Sequence, residues 1–464
     1  MAPSTSRQLT DGDAIFLSME TPQSGGHVGA LMILDPPEGG FDPEKLCSFV
    51  AERIGRVPRF TWKLLQVPLA LDRPYWVAAE DFNPRDHLIR TAVASPGTRE
   101  QLNALVARLH AQPMDRGRPL WEAWCIEGLA NGQVGLYLKS HHCLVDGAGG
   151  SGLGGIIADL NPDADSAPAI PDCYDEELPA PPSAFEMATR ALRNGVARPA
   201  RLRHHLGRGL RGLARDLFES SESTEVARLS FNGVIGKRRA LSTISLEFDR
   251  IRDLSKHFDV KLNDVVLGIV DAAVRRWLRD RGESAESPLV AMCPVSTREE
   301  AGLGNEITTM SVPLAAADAD PIQRLKSIHA NATKAKEGVR KGSFDWTAAV
   351  GESFSPAAVN LLVRASGSSS ENVPVPGNFV VSNVRATPMP LYMAGARIAS
   401  VLPISMLAPG QGLNVTLISY CQRIDVGIIA DADLVPDLDA LTPCLEVALE
   451  EFEAAAEGVI FRRG

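Results

Sequence analysis

Ser140-His141-His142-Cys143-Leu144-Val145-Asp146-Gly147 follows the alternating run Val134 to Leu138 and leads into Ala148-Gly149-Gly150-Ser151-Gly152. Alternation with period two is the pattern of a strand with two unlike faces. Adjacent side chains on such a strand point to opposite sides, so His141 and His142 cannot both meet one reacting atom. Extending the register from Val134 groups His142 with Leu136 and Leu138, and His141 with Tyr137 and Lys139. His142 is therefore expected on the inward face and His141 in a supporting role. A neutral imidazole, with an unperturbed pKa of about 6.5, can take a proton from a nucleophile too weak to ionise near neutrality. Asp146 reads as a brace for the turn or a partner for an arginine, and Gly147 as a residue free to take a backbone conformation closed to others. Cys143 is expected to point away from His142, which argues against a thiol nucleophile paired with that imidazole.

Outward from this segment the chain alternates strand and helix patterns. Leu31 to Leu34 reads as a strand, and Leu102, Leu105, Val106 and Leu109 share one face of a helix over Arg99 to Ala111. Residues 1–165 form a first α/β unit on this reading. Over residues 166–230, five prolines (Pro168, Pro171, Pro179, Pro181 and Pro182) lead into a stretch with eight arginines and no acidic residue between Arg190 and Arg215. This is expected to be a linker with basic helical turns, in which Gly195, Pro199, Gly207, Gly209 and Gly212 interrupt any long helix. Its arginines suit solvent, anionic lipid heads or the phosphates of a coenzyme. Residues 231–464 form a second α/β unit. Strands are expected at Leu241 to Phe248, Leu289 to Pro294, Phe379 to Val384, Leu413 to Tyr420 and Val426 to Ile429. A helix is expected from Asn263 to Leu278, with Val266, Ile269, Val270, Ala273 and Leu278 inward. No repeat of the length of a solenoid or propeller unit is visible.

The bulk composition agrees with a two-unit globular chain. A length of 464 residues exceeds what one core fills, and 45% hydrophobic against 22% charged residues is an ordinary globular balance. A net charge of -10 argues against nucleic acid as a partner, because phosphate contacts need a basic face. The seven cysteines (Cys47, Cys125, Cys143, Cys173, Cys293, Cys421 and Cys444) contain no CxxC pair and read as reduced, mostly buried thiols. The first residues lack a basic-then-apolar leader, and no run of about 18 apolar residues appears, so a cytoplasmic protein is expected, resting at most peripherally on the inner membrane or lipid droplets.

The HHxxxDG pattern marks a superfamily of acyltransferases that use coenzyme A or a carrier protein. Further segments resemble one branch of it, the bacterial wax ester synthase/diacylglycerol acyltransferase family. Pro113-Met114-Asp115-Arg116-Gly117-Arg118-Pro119-Leu120-Trp121-Glu122 is similar to that family's PLDRxRPLWE signature, with Met114 for leucine. Asn263-Asp264-Val265-Val266-Leu267 and Ser382-Asn383-Val384 match its NDVVL and SNV segments, and Asp13-Ala14-Ile15-Phe16-Leu17 with His27-Val28-Gly29 resembles its opening. The resemblance runs almost end to end. It implies an α/β fold of two lobes like those of chloramphenicol acetyltransferase, with the active site in a tunnel between them.

The resemblance further implies that His142 is the base, with acyl-CoA as a substrate, a lipid alcohol as acceptor, and no metal or other cofactor. Asn263 and Asp264 are expected to face the site or join the lobes. Asn263 also reads as a helix N-cap with Asp264 in the first turn. Ser382 and Asn383 are candidate donors to the thioester carbonyl, or a plain strand end. Asp115, Arg118, Pro119, Leu120, Trp121 and Glu122 are read as holding the loop and the lobe. Two departures fall near the expected tunnel walls: Gly25-Gly26 stands where the family has Pro-Met, and Arg385-Ala386-Thr387 where it has Pro-Gly-Pro. Two alternatives stay open at this point. One is a condensation- or polyketide-associated enzyme fed by a carrier-protein thioester, and the other a lipid-surface protein without turnover.

Overall fold

The computed structural model describes residues 7–38, 40–145, 154–163, 171, 180–218, 226–296, 307–340, 346–368 and 377–458. Asp146 and Gly147 lie outside these, as does Cys173.

Two six-stranded sheets carry the fold. The strands in chain order are β1 (His27–Asp35), β2 (Trp62–Leu65), β3 (Tyr75–Ala78), β4 (Leu88–Ala92), β5 (Trp121–Glu127), β6 (Val134–His141), β7 (Arg239–Glu247), β8 (Val290–Ser296), β9 (Ile307–Pro313), β10 (Phe379–Arg385), β11 (Tyr392–Met393), β12 (Ala396–Ile404), β13 (Leu413–Tyr420) and β14 (Arg423–Asp431). The first sheet runs β11-β12-β1-β6-β5-β4, and the second β7-β14-β13-β10-β8-β9. β2 and β3 form a separate antiparallel ribbon. The helices are α1 (Asp11–Met19), α2 (Pro43–Gly55), α3 (Arg99–Ala111), α4 (Ala184–Phe218), α5 (Phe248–His257), α6 (Leu262–Asp280), α7 (Pro321–Arg340), α8 (Trp346–Ser353), α9 (Pro356–Ser368) and α10 (Leu441–Ala456). This is the expected two-lobed α/β architecture.

Each sheet buries an apolar face. On the second, α6 supplies Val266, Ile269, Val270, Ala273 and Leu278, all at most 2% exposed, to a core shared with β13, β14 and α10. The first sheet is covered on both faces: Leu136 joins one cluster and Tyr137 the other, as the pleat requires. The lobes are not sequential blocks. β11 and β12, from the second half of the chain, complete the first sheet, with β12 antiparallel to β1. β12 then crosses β14 of the second sheet so closely that a Cβ on Gly427 would lie 1.7 Å from the Pro403 carbonyl oxygen.

The arginine-rich segment differs from expectation. It is a single 35-residue helix, α4, with Pro199 inside it. Tertiary anchoring outweighs the glycine and proline penalties, because an inward stripe at helical spacing finds partners. Met187 and Ala191 pack with Val67 and Tyr75, and Asn194 and Arg198 reach Asp72. Further along the helix, His205 meets Glu352 of α8 at 3.0 Å. Proline at 199 removes only one N–H from a ladder held along its length by these contacts.

Candidate active site

β1 and β6 pair antiparallel, with His27 opposite His141. The strand ends at His141, and His142 opens the turn that follows, its N–H donating to the Gly26 carbonyl at 2.8 Å. Leu138, Ser140 and His142 line a cavity of about 450 Å³. Tyr137, Lys139 and His141 lie on the opposite face of the strand, and each is at most 1% exposed.

The cavity lies between the two sheets. β1 gives Val28, Ala30 and Met32, and β12 gives Ile398 and Val401; across from them, β10 gives Ser382, Asn383 and Val384, and β13 gives Ile418 and Tyr420. Its volume and mostly apolar walls are those of a small-molecule site. Polar groups are few, and among the described residues that line it His142 carries the only imidazole. That ring is half-buried and stacks on Phe16, with centroids 3.9 Å apart and planes 8° from parallel.

Behind His142 sits a polar cluster. His141 Nε2 donates to Glu20 at 3.1 Å, and its Nδ1 accepts the Cys143 N–H at 3.0 Å. These contacts assign the neutral tautomer with the proton on Nε2. Burial alone would raise the Glu20 carboxyl, but hydrogen bonds from His141 and Arg116 outweigh it and hold the group well below the usual carboxylate range. His27, beside it, is pushed down to about 3, chiefly by burial and by the positive charge of Lys139. Next to His27, His110 accepts the Tyr137 hydroxyl at 2.7 Å and donates from Nε2 to the Ser405 carbonyl at 3.1 Å. Burial holds it well below its ordinary value too. Lys139, fully buried, caps α3 by donating to the carbonyls of Leu109 and Gln112 at 3.0 and 2.6 Å, as suits a cation at a helix C-terminus. The Cys143 thiol is fully buried and pushed well up by desolvation, so it is poorly suited to nucleophilic attack.

The PMDRGRPLWE segment runs beside this cluster into β5. Asp115 Oδ1 accepts the Gly117 N–H at 2.8 Å and shapes the turn. Arg116 pairs with Glu20. Arg118 donates to the Asp86 carbonyl at 3.0 Å. Pro119 and Leu120 are both buried, and the Leu120 carbonyl accepts the His141 N–H. Trp121 donates from its indole to the Phe60 carbonyl at 2.9 Å and stacks on His87. Glu122 lies 3.6 Å from Lys139.

On the other lobe, Asn383 donates to Asn263 Oδ1 at 3.4 Å, which ties the cavity wall to the first turn of α6. Asn263 is not the N-cap. The helix begins one residue earlier, at Leu262, and the carboxylate of Asp264 accepts the Lys261 N–H at 2.9 Å. Asp264 is buried and also meets His329 of α7 at 2.6 Å, so it joins two helices and does not line the cavity. Arg385, Ala386 and Thr387, the departure from the family pattern, do line it.

Sequence reasoning missed Glu20 and His110, and it did not pair Phe16 with His142. Arg116 belongs to the segment read as holding the loop, but the motif does not reveal its partner Glu20. Glu20 carries no local signal, since it meets His141 across 121 residues of chain.

Residues 9–266 match the wax ester synthase/diacylglycerol acyltransferase catalytic domain, and residues 303–453 match that family's C-terminal domain. A Mycobacterium tuberculosis protein named putative diacylglycerol O-acyltransferase Rv1760 is 31% identical over 96% of this chain and 89% of its own length. The similarly named Mb2306 of Mycobacterium bovis is 31% identical over 97% and 99%. Among solved structures, the wax ester synthase/diacylglycerol acyltransferase of Marinobacter aquaeolei VT8 superposes with a TM-score of 0.71 at 27% identity, covering 97% of this chain and all of that one. The first condensation domain of the calcium-dependent antibiotic synthetase shares the fold, with a TM-score of 0.59 at 16% identity over 98% of both chains. With both halves matched and relatives above 30% identity along nearly its whole length, the chain belongs to the wax ester synthase/diacylglycerol acyltransferase family of enzymes.

Proposed function

We propose that the protein moves a long-chain acyl group from acyl-CoA to a lipid alcohol, with His142 as general base. The observation that carries this is the position of His142, a half-buried imidazole in the wall of an apolar cavity built by both lobes. The acceptor hydroxyl gives its proton to the imidazole as its oxygen attacks the thioester carbonyl. The carbon–sulfur bond then breaks, and the imidazolium protonates the departing thiolate, whose pKa near that of cysteine, about 8.5, makes it a ready leaving group. The products are an ester and free coenzyme A. Neither an acyl-enzyme nor a cofactor enters this route.

Ser382 and Asn383 stand on the opposite wall, where a hydroxyl or amide donor stabilises a developing oxyanion. Asp146 is proposed to brace the segment after His142 or pair with an arginine, and Gly147 to supply backbone freedom there. The names of the mycobacterial relatives favour a diacylglycerol as acceptor, and the apolar cavity suits a fatty alcohol as well.

The substrates also call for access to lipid. No helix among the described residues is long and apolar enough to cross a membrane. The outward face of α4 carries Phe185, Leu192 and Val196, which are 78%, 71% and 75% exposed, opposite the inward stripe of Met187 and Ala191. With exposed Arg193 and Arg203 beside them and no acidic residue between Arg190 and Arg215, this face fits an anionic lipid surface. Sedimentation with phosphatidylglycerol vesicles, compared with phosphatidylcholine, tests it: Leu192→Ser with Val196→Ser should release the protein, and equal binding by the variant would remove the idea.

The test of the reaction is release of free thiol from a long-chain acyl-CoA, with and without hexadecanol or a diacylglycerol. Acceptor-dependent release by the native protein and its loss in folded His142→Ala support the proposal. Release that needs a carrier-bound donor would favour the condensation-type alternative, and vesicle binding without any transfer the non-catalytic one.

A further inference from the structure

Glu20 follows the last residue of α1, and its two carboxylate oxygens hold several groups at once. Oε1 accepts the Gly26 N–H at 2.8 Å and the His141 Nε2–H at 3.1 Å, with His27 Nε2 at 3.6 Å, while Oε2 takes the Arg116 guanidinium. Its own backbone is fixed as well, because Asn360 of α9 donates to the carbonyls of Ser18 and Glu20 at 3.1 and 2.9 Å.

Two relays run from this carboxylate to the turn that carries His142. Gly26, held through its N–H, accepts the His142 N–H on its carbonyl at 2.8 Å. His141, held through Nε2, accepts the Cys143 N–H on Nδ1 at 3.0 Å. The amides of His142 and of the residue after it are therefore both held by groups that Glu20 itself holds.

The chain has made room for this arrangement where it departs from the family pattern. A Cβ on Gly26 would lie 2.9 Å from His141 Nε2, and one on Gly25 2.4 Å from the His27 ring. Neither ring could keep its place around Glu20 if those two residues carried side chains.

We infer that Glu20 is a positioning residue for the reaction: by holding Gly26 and His141 it sets the backbone path of the turn that presents His142 to the cavity. The inference rests on His142 being the base, as proposed above. Glu20 itself does not line the cavity and meets no reacting atom. Its carboxylate stays ionised in a half-buried place because Arg116 and His141 compensate the burial. The Arg116 contact also explains why the PMDRGRPLWE segment matters to a turn that it does not itself form.

The test uses the full chain with Glu20→Ala, Glu20→Gln, His141→Asn and the Glu20→Ala/His141→Asn double variant. Thiol release gives kcat and KM, and hydrogen exchange by mass spectrometry over residues 139–145 gives the state of the turn. Misplacing a reacting group by about 1 Å costs up to about 100-fold in rate, so Glu20→Ala should lower kcat by about tenfold or more. KM for acyl-CoA should stay within about twofold, and Glu20→Gln, which keeps one acceptor oxygen, should fall less. The double variant should be little slower than Glu20→Ala, because the His141 relay runs through Glu20 and is already broken there. Exchange should accelerate in the turn and not elsewhere in β6.

An unchanged kcat, losses that multiply in the double variant, or unchanged exchange in the turn would overturn the inference. So would a general rise in exchange in Glu20→Gln, which would make Glu20 a brace for the whole lobe. Should the native protein release no thiol with any acceptor, the proposed reaction falls, while the exchange measurement still decides whether Glu20 holds the turn.

Discussion

The imidazole of His142 lies flat against the ring of Phe16, 3.9 Å between centroids and 8° from parallel. Phe16 is fixed on α1, whose first turn is capped by the Thr10 side chain at the Asp13 N–H. Asp13 in turn pairs with buried Arg59 at 3.1 Å. Stacking covers one face of the imidazole and fixes the plane in which its nitrogens point. A stacked pair contributes about 0.5–1.5 kcal/mol, and about 1.36 kcal/mol is tenfold in rate. Phe16→Leu, which keeps bulk and loses the plane, should therefore lower kcat by up to about tenfold with little change in KM. Unchanged kcat in the thiol-release assay would mean that the ring is aimed by other contacts.

Arg385 stands at the cavity as an exposed cation where the family pattern has a proline. Coenzyme A carries phosphates, and one exposed ion pair contributes up to about 1 kcal/mol. Arg385→Glu should raise KM for acyl-CoA about fivefold or somewhat more, because attraction becomes repulsion, and leave kcat nearly unchanged. The native KM should also rise with salt, and the variant's should not. A salt-independent native KM would place the phosphates elsewhere.

Much of this architecture is written locally. α3 spans the residues that its helical periodicity marks, β13 spans Leu413 to Tyr420 as its alternation predicts, and the inward set of α6 is the set that its spacing names. The facing of His142 and His141 also follows from a period of two, because β6 stays regular up to His141. Other features depend on contacts between distant residues. β12 has the pattern of a strand but nothing that says it will join β1, nearly the whole chain away. The continuity of α4 across Pro199 is decided by Asp72 and Glu352, which no pattern within the helix reveals. Glu20 belongs to the same class: its partners gather only once α1, β1 and β6 have met.

Buried histidines in the first lobe, His27, His110 and His87 among them, set a dependence of stability on pH. The folded value of His27 is about 3, lowered by burial from 6.5, and His110 is lowered in the same direction. Below pH 6.5 the unfolded chain binds a proton at each of these residues, and the folded chain does not until far lower pH. Stability is therefore full above about 6.5 and is lost as pH falls from there towards about 3, by about 1.4 kcal/mol per unit for each such histidine. Glu20 acts in the same sense, but only as pH falls below its ordinary range near 4.5. Urea unfolding at about pH 7.5 and about pH 5.5 isolates the histidines. His27→Gln should flatten the loss by roughly one histidine's share, about 1.4 kcal/mol over the unit below about 6.5. An unaltered slope would show that His27 is charged in the folded protein.

Gly427 lies where β12 and β14 leave no room for a side chain. β14 pairs it with Thr243 and Thr416, and a Cβ there would lie 1.7 Å from the Pro403 oxygen and 2.9 Å from the Pro403 carbonyl carbon. Both are backbone atoms of β12, so no side chain can swing aside, and β12 or β14 must move. Overpacking of a tight contact typically costs about 1–3 kcal/mol, and this one displaces Pro403 and Ile404, which line the cavity. Gly427→Ala should thus lose stability in urea by that amount or more and lose activity even where it is folded. A Cβ added to Gly338 in α7 would meet nothing within 4 Å. Gly338→Ala should instead gain up to about 1 kcal/mol from helix propensity with activity unchanged. Equal behaviour of the two alanine variants would show that β12 and β14 do not make this close crossing in solution.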